Sequence, residues 1–489
     1  MNTTRLFASK QYPLSLLAAL FTLLIITLTH LETKAEPIPA GQGYELRFKI
    51  AGLRDSMVFL ANYYGEKQYL KDSAFADAAG NVIFKGKEPL PGGIYLFVFP
   101  NKTYFELLVD KEQHFSMECS ADNMIPTMKI KGSEDNIQFY AYLTFIQEQS
   151  KMVEPLRNER RALSEQGKKT EEVDGRIKEI DERVSNYKKD YIAKSPDRFL
   201  TAIFKASEEP KTPELPKGSK DSSMIFFYYR DHYFDLFDLS DERLLRSPVY
   251  HNKVNFFLKN LVVQYPDSVI PYADFLVQRA SGNKETFKYM VWYLTNNYET
   301  SNIMGHDAVF VHLVKNYYTK EKAFWTDDAT LYKIQDRARI LEPILIGKKA
   351  KNLMLTDSSG KFQALYSVNA SFTILYFWDP DCGHCKKATP KVKAYFDRVR
   401  SRGVQVFAVC TEVEMDKWKK FIQEHNLDWI NVADPKTQNN FRQEFDILTT
   451  PQIFILDKDK KIIAKKIDED NMEKILDREL EMYEKKIGN

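Results

Sequence analysis

The stretch FTILYFWDPDCGHCKKATP, residues 372–390, holds the features that decide the fold of the C-terminal part of the chain. Its first seven residues carry no charge, which is typical of a strand buried on both faces of a sheet. Asp379-Pro380-Asp381 interrupts this strand, and a helical segment, Lys386–Val399, follows the two cysteines. From Leu353 to the C-terminus, strand-like runs alternate with helical segments, and this order predicts an α/β domain.

The cysteine pair in CGHC is suited to dithiol–disulfide exchange. Two intervening residues let the sulfurs of Cys382 and Cys385 close a small ring with little chain movement. The unpaired N–H groups and the dipole at a helix N-terminus stabilise a thiolate at the first sulfur, and the thiolate is the attacking form. We therefore assign Cys382 as the nucleophile and Cys385 as the resolving thiol, which together form a redox-active disulfide. His384 is a candidate for stabilising the thiolate or making the disulfide more oxidising; the alternative is an exposed loop side chain.

Roughly residues 341–489 resemble the exported thiol–disulfide oxidoreductases of the TlpA/ResA type, within the thioredoxin-like superfamily. One signature is Phe377-Trp378 followed by CGHCKK and then Pro390. The other is TTPQIF, residues 449–454, about seventy residues further along the chain. Both motifs occur in the expected strand and helix order, which makes the resemblance more specific than a single CxxC.

The resemblance implies a thioredoxin-like fold and a set of substrate-binding residues. In this family the proline of the second signature is cis and packs beside the cysteines, which here implies Pro451. The backbone of Thr450 would then present hydrogen-bonding groups to an incoming substrate strand, and Trp378 would also contact the substrate. The implied partners are protein thiols and disulfides, together with an unidentified membrane or periplasmic redox partner. No cofactor is expected besides the disulfide of the two cysteines.

Two positions depart from the family pattern. Tyr376 stands six residues before Cys382, where thioredoxins often place a buried acid, and Ala388 stands where the TlpA/ResA group often has Glu. The proton acceptor is therefore left open among His384, water and an acid from elsewhere. The Gly-His dipeptide is similar to that of protein disulfide isomerases, which indicates a less reducing couple than thioredoxin's. It does not decide the direction of electron flow.

Other functions fit the residues less well. A peroxidase of the AhpC/TSA class would need a Pro-x-x-x-Thr-x-x-Cys loop, but Asp379 and Cys382 occupy the two positions where the threonine would stand. A zinc site could recruit Cys382, His384 and Cys385 but lacks a further CxxC or a His/Cys pair, so no metal is expected. The remaining alternative is a cell-envelope binding or assembly module with a tethered or vestigial redoxin domain. The intact cysteine pair and Pro451 argue against a vestigial domain.

The N-terminus has the pattern of a secretory signal, residues 1–35. Arg5 and Lys10 form a short basic region, and the run Leu14–Leu28 carries no charge. Thr33-Lys34-Ala35 places small residues at the two key positions of a cleavage site. We expect export to the periplasm or cell envelope; the alternative is an uncleaved membrane anchor, although the apolar run is somewhat short to span a bilayer.

Residues 44–134 predict an antiparallel, sandwich-like β domain. Apolar residues alternate with charged ones from Tyr44 to Ile50, and further short strand-like runs follow. The strand pattern and the domain order resemble a DUF4369-like domain, as in exported redoxin proteins of Bacteroidetes-type bacteria. That resemblance names no function for the domain. Cys119 lies in a strand-like stretch and is interpreted as a packed thiol.

Residues 135–340 predict a helical region between the β domain and the thioredoxin-like domain, residues 341–489. Apolar residues from Val173 to Tyr191 recur at intervals of three and four, which is typical of an amphipathic helix. Fewer than three heptads favour an intrachain helical hairpin, turning near Gly167, over a dimerising coiled coil. The whole chain is thus predicted to be multidomain: antiparallel all-β, helical, then α/β thioredoxin-like.

The overall composition sets outer limits on function. The 489 residues carry 70 Lys and Arg against 68 Asp and Glu, and a net charge of +2 gives no basic field for nucleic acid. Four cysteines in so long a chain exclude a disulfide scaffold. Whether Cys119 and Cys410 pair with each other cannot be decided from the sequence.

Overall fold

The structure is a computed structural model that describes residues 43–213 and 223–487. It has an N-terminal pair of antiparallel-type sheets, a helical middle and a C-terminal sheet flanked by helices, which confirms the predicted fold class. The predicted signal, residues 1–35, lies outside the described residues. In the two described ranges no helix is both long enough and apolar enough to span a bilayer.

The N-terminal domain is built from eight strands that form two four-stranded sheets. The strands are β1 (Tyr44–Ala51), β2 (Ser56–Tyr64), β3 (Lys67–Ala76), β4 (Asn81–Gly86), β5 (Gly93–Val98), β6 (Tyr104–Val109), β7 (His114–Ser120) and β8 (Lys129–Lys131). One sheet has the order β4-β1-β7-β8 and the other β3-β2-β5-β6. Every strand pair is antiparallel except β1 with β7, which is parallel. In chain order, β7 returns to the first sheet after all four strands of the second sheet have been formed.

The core of this domain follows from the alternation in β1. Leu46, Phe48 and Ile50 are buried on one face while the charged residues between them are exposed. The Phe48 ring lies 4.8 Å from that of Phe97 in the opposite sheet, and Phe97 stacks on Phe105 at 4.9 Å. Burying these large side chains is the main contribution to the stability of a two-layer β domain.

The middle region consists of helices that continue the core of the β domain. After the short α1 (Met124–Thr127), which lies between β7 and β8 of the β domain, they are α2 (Glu134–Glu165), α3 (Glu171–Lys194), α4 (Phe199–Ala206), α5 (Ser223–Asp231), α6 (Glu242–Leu245), α7 (Pro248–Phe256), α8 (Pro266–Ala280), α9 (Lys284–Glu299), α10 (His306–Tyr317) and α11 (Asp328–Leu341). The helices α2 and α3 form the predicted intrachain hairpin, in which Leu156 packs with Val173 and Ile180. Gly167 turns the chain with a φ of 66°, which glycine adopts readily.

The first turn of α2 is attached to β6 by Asn136. This side chain is fully buried, accepts the backbone N–H of Leu108 at 2.7 Å and donates to its carbonyl at 2.6 Å. It also donates to Ser133, the N-cap residue of α2, at 2.8 Å. One amide therefore satisfies both backbone groups at the sheet edge that faces the helix.

Replacing Asn136 by alanine is expected to lower the free energy of unfolding by about 2–4 kcal/mol, because it leaves two buried backbone groups unpaired. A urea titration followed by circular dichroism measures the change. Gln138→Ala serves as the matched control on the same helix, because the side chain of Gln138 makes an exposed hydrogen bond to Glu134 one turn earlier. We expect that control to stay within about 0.5 kcal/mol of the wild type; equal losses in both variants would contradict this role for Asn136.

The C-terminal domain is a seven-stranded sheet with the order β10-β9-β13-β12-β11-β14-β15. Its elements are β9 (Met354–Asp357), β10 (Phe362–Ala364), β11 (Phe372–Trp378), α12 (Gly383–Val399), β12 (Val404–Cys410), α13 (Met415–Glu424), β13 (Ile430–Ala433), α14 (Phe441–Glu444), β14 (Gln452–Asp457), β15 (Ile462–Ile467) and α15 (Glu469–Ile487). All seven residues of β11 are buried, and the strand lies between a parallel β12 and an antiparallel β14.

The two faces of this sheet pack against different parts of the molecule. Tyr376 and Trp378 face a core formed with α12, α13 and α15. Leu375 and Phe377 belong to the same continuous core as the helical region. One face of the thioredoxin-like sheet is therefore covered from the middle of the chain, so the helical region is packed onto the domain that carries the cysteines.

Candidate active site

The cysteines stand at the end of the central strand, where the sequence places them. β11 ends at Trp378, and Cys382 is the N-cap residue of α12, with φ −71° and ψ 121°. The turn between them is held by hydrogen bonds: the Cys382 N–H donates to the Asp379 carbonyl at 3.2 Å, and the Asp381 N–H donates to the Asp379 carboxylate at 2.7 Å. The first sulfur is thus fixed where the free N–H groups of α12 point.

The two sulfurs differ sharply in exposure. Cys382 is half-buried, whereas Cys385 is completely buried in the core beneath the first turn of α12. Cys385 Sγ accepts a hydrogen bond from the Asp379 N–H at 3.4 Å. Both residues are free thiols in this structure.

The second signature lies directly against the first cysteine. The Thr450–Pro451 peptide bond is cis, as the family resemblance implies. The Cys382 thiol donates a hydrogen bond to the Thr450 carbonyl at 3.3 Å. Gln452, which follows Pro451, begins β14 and pairs with Phe377 in the central strand. The strand register thus brings a segment that is about seventy residues away in sequence next to the reactive sulfur.

The surroundings of the two thiols shift their pKa values in opposite directions. Burial opposes ionisation of Cys382, but hydrogen bonds from the backbone N–H groups of Cys385 and His384 and from the side chains of Thr450 and Cys385 outweigh it. The pKa of Cys382 is therefore lowered. Burial dominates at Cys385 and raises its pKa to about 12, with only partial relief from the Asp379 N–H. Of the two thiols, Cys382 is therefore the one that ionises at the lower pH.

This difference predicts selective alkylation. With iodoacetamide at pH 7, Cys382 is expected to react first, because alkylation requires the thiolate. As pH rises, more thiolate forms, so the rate should climb, with its midpoint at a lower pH than that of an ordinary cysteine thiol. Cys119, Cys385 and Cys410 have pKa values raised by burial to about 12 and should react only on unfolding. Peptide mass spectrometry of timed samples measures each site; equal labelling of Cys385 and Cys382 would contradict the assignment.

Two of the other predicted site residues, His384 and Trp378, differ in exposure. His384 is exposed on the first turn of α12, and its backbone N–H contributes to lowering the pKa of Cys382. Trp378 has no exposed surface and packs on Phe421 at 5.0 Å between ring centroids. The prediction that Trp378 contacts the substrate is corrected by this burial. Its strand is central and covered on both faces, so the ring is part of the core.

The position of the usual buried acid is filled by a neutral group. The Tyr376 hydroxyl shares a hydrogen bond with the Thr389 hydroxyl at 2.9 Å. Burial raises the pKa of this tyrosine far above its ordinary value, so the phenol stays protonated. Ala388, the second departure, is buried below the first turn of α12. Neither position offers a carboxylate to accept the proton of Cys385.

The remaining two cysteines are both buried. Cys119 is buried in the core of the N-terminal domain, and Cys410 is buried in the C-terminal core on β12. Both are free thiols, so the structure contains no bridge between them. Over the described part of the chain, no group of three or more His, Cys, Asp or Glu side chains is arranged to hold a metal ion.

Two further residues at the site have no sequence signal. Arg442 donates from its guanidinium to the Thr411 carbonyl, and Thr411 in turn donates its N–H to the carbonyl of Trp378 at 2.8 Å. Asp446 is buried four residues before Thr450 in an ion pair with another region of the chain. Both contacts join segments that are distant in sequence, so residue spacing alone could not identify them.

Family models match all three regions of the chain. A model of the AhpC/TSA family matches residues 346–465, and models of two domains of unknown function, DUF4369 and DUF5106, match residues 44–139 and 162–342. The first and second matches confirm the thioredoxin-like and DUF4369-like resemblances. The DUF5106 match covers most of the helical region, whose pattern predicts no family.

Curated relatives are similar to part of this chain. Thiol-disulfide oxidoreductase ResA of Bacillus thuringiensis is 30% identical over 146 residues, which is 30% of this chain and 80% of that protein. ResA of Bacillus cereus is 28% identical over 134 residues, 27% of this chain and 76% of that protein.

Solved structures are also similar to this chain. A domain of a possible thiol-disulfide isomerase from Cytophaga hutchinsonii is 44% identical, covers 30% of this chain and 97% of its own, and has a TM-score of 0.27. A thioredoxin-like protein from Bacteroides caccae is 19% identical, covers 54% of this chain and 97% of its own, and has a TM-score of 0.44.

The AhpC/TSA family match falls on the domain that carries the cysteine pair and the cis proline, and the Bacillus thuringiensis relative, 30% identical, is matched across four fifths of its length. The chain therefore belongs, through its C-terminal thioredoxin-like domain, to the ResA-type thiol–disulfide oxidoreductases.

Proposed function

We propose that this protein is an exported thiol–disulfide oxidoreductase that exchanges disulfides with protein substrates through Cys382 and Cys385. The observation that carries the proposal is the asymmetry of the pair. A half-buried sulfur with a lowered pKa stands next to a fully buried sulfur whose pKa is about 12. Exchange requires this division, because one thiol must attack an external disulfide and the other must wait until the first has reacted.

The exchange is balanced over two steps. The Cys382 thiolate attacks one sulfur of the substrate disulfide, forms a mixed disulfide and releases the other substrate sulfur as a thiolate, which takes up a proton. Cys385 then loses its proton, and its thiolate attacks Cys382 Sγ. The internal disulfide forms, the substrate leaves as a dithiol, and two electrons have passed to it. The reverse sequence oxidises a substrate dithiol.

The surroundings of Cys382 support a polypeptide as substrate. The Thr450 carbonyl at 3.3 Å from the sulfur offers a backbone acceptor beside the reacting atom, next to the half-buried Pro451. An extended substrate segment can donate a backbone N–H to such a group, as strands do in β-augmentation. His384 remains a candidate for adjusting the potential of the pair from its exposed position. We propose no cofactor beyond the Cys382–Cys385 disulfide.

The proposed location is the periplasm or cell envelope. Its support is the signal-like pattern of residues 1–35, which lie outside the described residues. In such a compartment protein disulfides persist and need enzymes that exchange them. Turnover there also requires a membrane or periplasmic redox partner that resets the pair after each cycle.

A trapping experiment tests the proposal. In Cys385→Ala the second step cannot occur, so mixed disulfides between Cys382 and substrate proteins should accumulate. Expressed in cells of the native host, the variant should give bands on non-reducing gels that disappear with dithiothreitol, and mass spectrometry should identify them as proteins linked through Cys382.

The double variant Cys382→Ala/Cys385→Ala is the control, since it keeps the fold but lacks the attacking sulfur. Bands that persist in the double variant would show that another cysteine forms them and would contradict the proposal. Recovery of only noncovalent partners, with no disulfide-linked one, would instead favour the alternative of an envelope binding or assembly module.

A further inference from the structure

The segment Phe441–Pro451, which we term the proline loop, lies against the end of the central strand. Phe441 and Phe445 pack on Phe377, with ring centroids 5.9 and 5.3 Å apart. The last residues of the loop present the Thr450 carbonyl to the reactive thiol. The position of that carbonyl therefore depends on how the rest of the loop is fixed.

The middle of the proline loop is fixed by a buried carboxylate. Asp446 is 3% exposed and has a φ of 53°, in the left-handed region that side chains other than glycine adopt reluctantly. One of its oxygens accepts from Arg337 at 2.5 Å, and the other accepts from Lys466. Burial opposes ionisation, but these two cations outweigh it and hold the pKa of Asp446 below its ordinary value.

The two cations come from different parts of the molecule. Lys466 belongs to β15 in the same domain, at a register irregularity where β15 carries an extra residue against β14. Arg337 belongs to α11 in the helical region, 109 residues earlier in the chain. The helical region thus reaches directly into the loop that faces the cysteines.

A second buried contact joins the same two regions nearby. Lys465, next to Lys466 on the irregular strand, is 3% exposed and pairs with Asp307 in the first turn of α10. Together with the shared apolar core, this pair keeps the helical region seated on the sheet. Arg337 is therefore held at a defined position relative to the active site.

We propose that Arg337 of the helical region is a positioning residue for thiol–disulfide exchange, because it fixes Asp446 and so the proline loop beside Cys382. The proposal rests on the function proposed for the cysteine pair. It gives the middle region a part in the reaction, because Arg337 on α11, outside the thioredoxin-like domain, holds a loop of that domain in place.

The test is Arg337→Gln in the full chain. Without the guanidinium, the loop should become less well fixed, and kcat/KM for the reduction of insulin disulfides should fall roughly tenfold, within the range that misplacement remote from the chemistry produces. The Thr450 side chain, at the end of the same loop, contributes to lowering the pKa of Cys382. The pH midpoint of iodoacetamide alkylation at Cys382 should therefore rise by about half a unit.

Arg339→Gln is the matched control, because this exposed arginine on the same helix pairs locally with Asp336. It should keep the wild-type midpoint and kcat/KM. Arg337→Lys, which preserves the charge, should recover part of both. If Arg337→Gln does not fold, Asp446→Asn tests the same contact and should shift both readouts in the same direction.

The outcomes separate this proposal from the one on which it rests. Failure of the wild type to reduce any disulfide would overturn the proposed function, yet an alkylation midpoint that moves in Arg337→Gln would still support positioning by Arg337. If Arg337→Gln keeps both the wild-type alkylation midpoint and the wild-type kcat/KM, the proposal that Arg337 positions the loop is overturned. An equal loss of activity in Arg337→Gln and in the control Arg339→Gln would also overturn the positioning proposal.

Discussion

Cys382→Ala is expected to lower dithiothreitol-dependent reduction of insulin disulfides at least 100-fold, to about the uncatalysed rate, because it removes the attacking atom. No other thiol can take its place. Cys385 has no exposed surface, and with a pKa of about 12 only about one molecule in 10⁵ carries the thiolate at pH 7. Both kcat and kcat/KM should therefore fall, so the rate should be lost at every insulin concentration.

The measurement is the turbidity of precipitating insulin chains, with folding of the variant checked by circular dichroism. Cys119→Ala is the control, since it removes a thiol of similar chemistry from the core of the N-terminal domain. It should retain wild-type turnover. Activity in Cys382→Ala close to that of the wild type would contradict both the assignment of the nucleophile and the proposed function.

The sequence predicts the reactive residues of this site better than it predicts the tertiary contacts that hold them in place. The uncharged run 372–378 followed by CGHC indicates a buried strand and a helix start, and the structure has both. The half-buried first sulfur and the fully buried second one follow from their places on the first turn. These features are local, so periodicity and helix geometry are enough to predict them.

The contacts that hold the site depend on the tertiary fold. Arg337 and Asp446 meet only because one face of the C-terminal sheet packs in the core of the helical region. The parallel pairing of β1 with β7 is likewise a matter of topology, although the alternation in β1 predicts its buried face. Spacing in the sequence carries no information on which distant segments become neighbours.

Trp378 is the residue whose predicted role the structure changes, and its substitution has the largest expected effect on stability. Its ring is fully buried, lies parallel to Tyr376 at 6.5 Å and contacts Phe421. Trp378→Ala should lower the free energy of unfolding by about 3–5 kcal/mol, because it removes a large apolar side chain and leaves a cavity in the centre of the sheet. Urea titration followed by circular dichroism measures the loss.

Trp292→Ala provides the comparison, because Trp292 on α9 is 39% exposed and should cost less than half as much. Trp378→Phe keeps most of the ring, so this variant should fold and allow kinetics to separate the two roles. If Trp378 acts only as a core residue, Trp378→Phe should have a KM for insulin near that of the wild type. A KM that rises severalfold at unchanged stability would restore Trp378 to the substrate surface, in conflict with its burial.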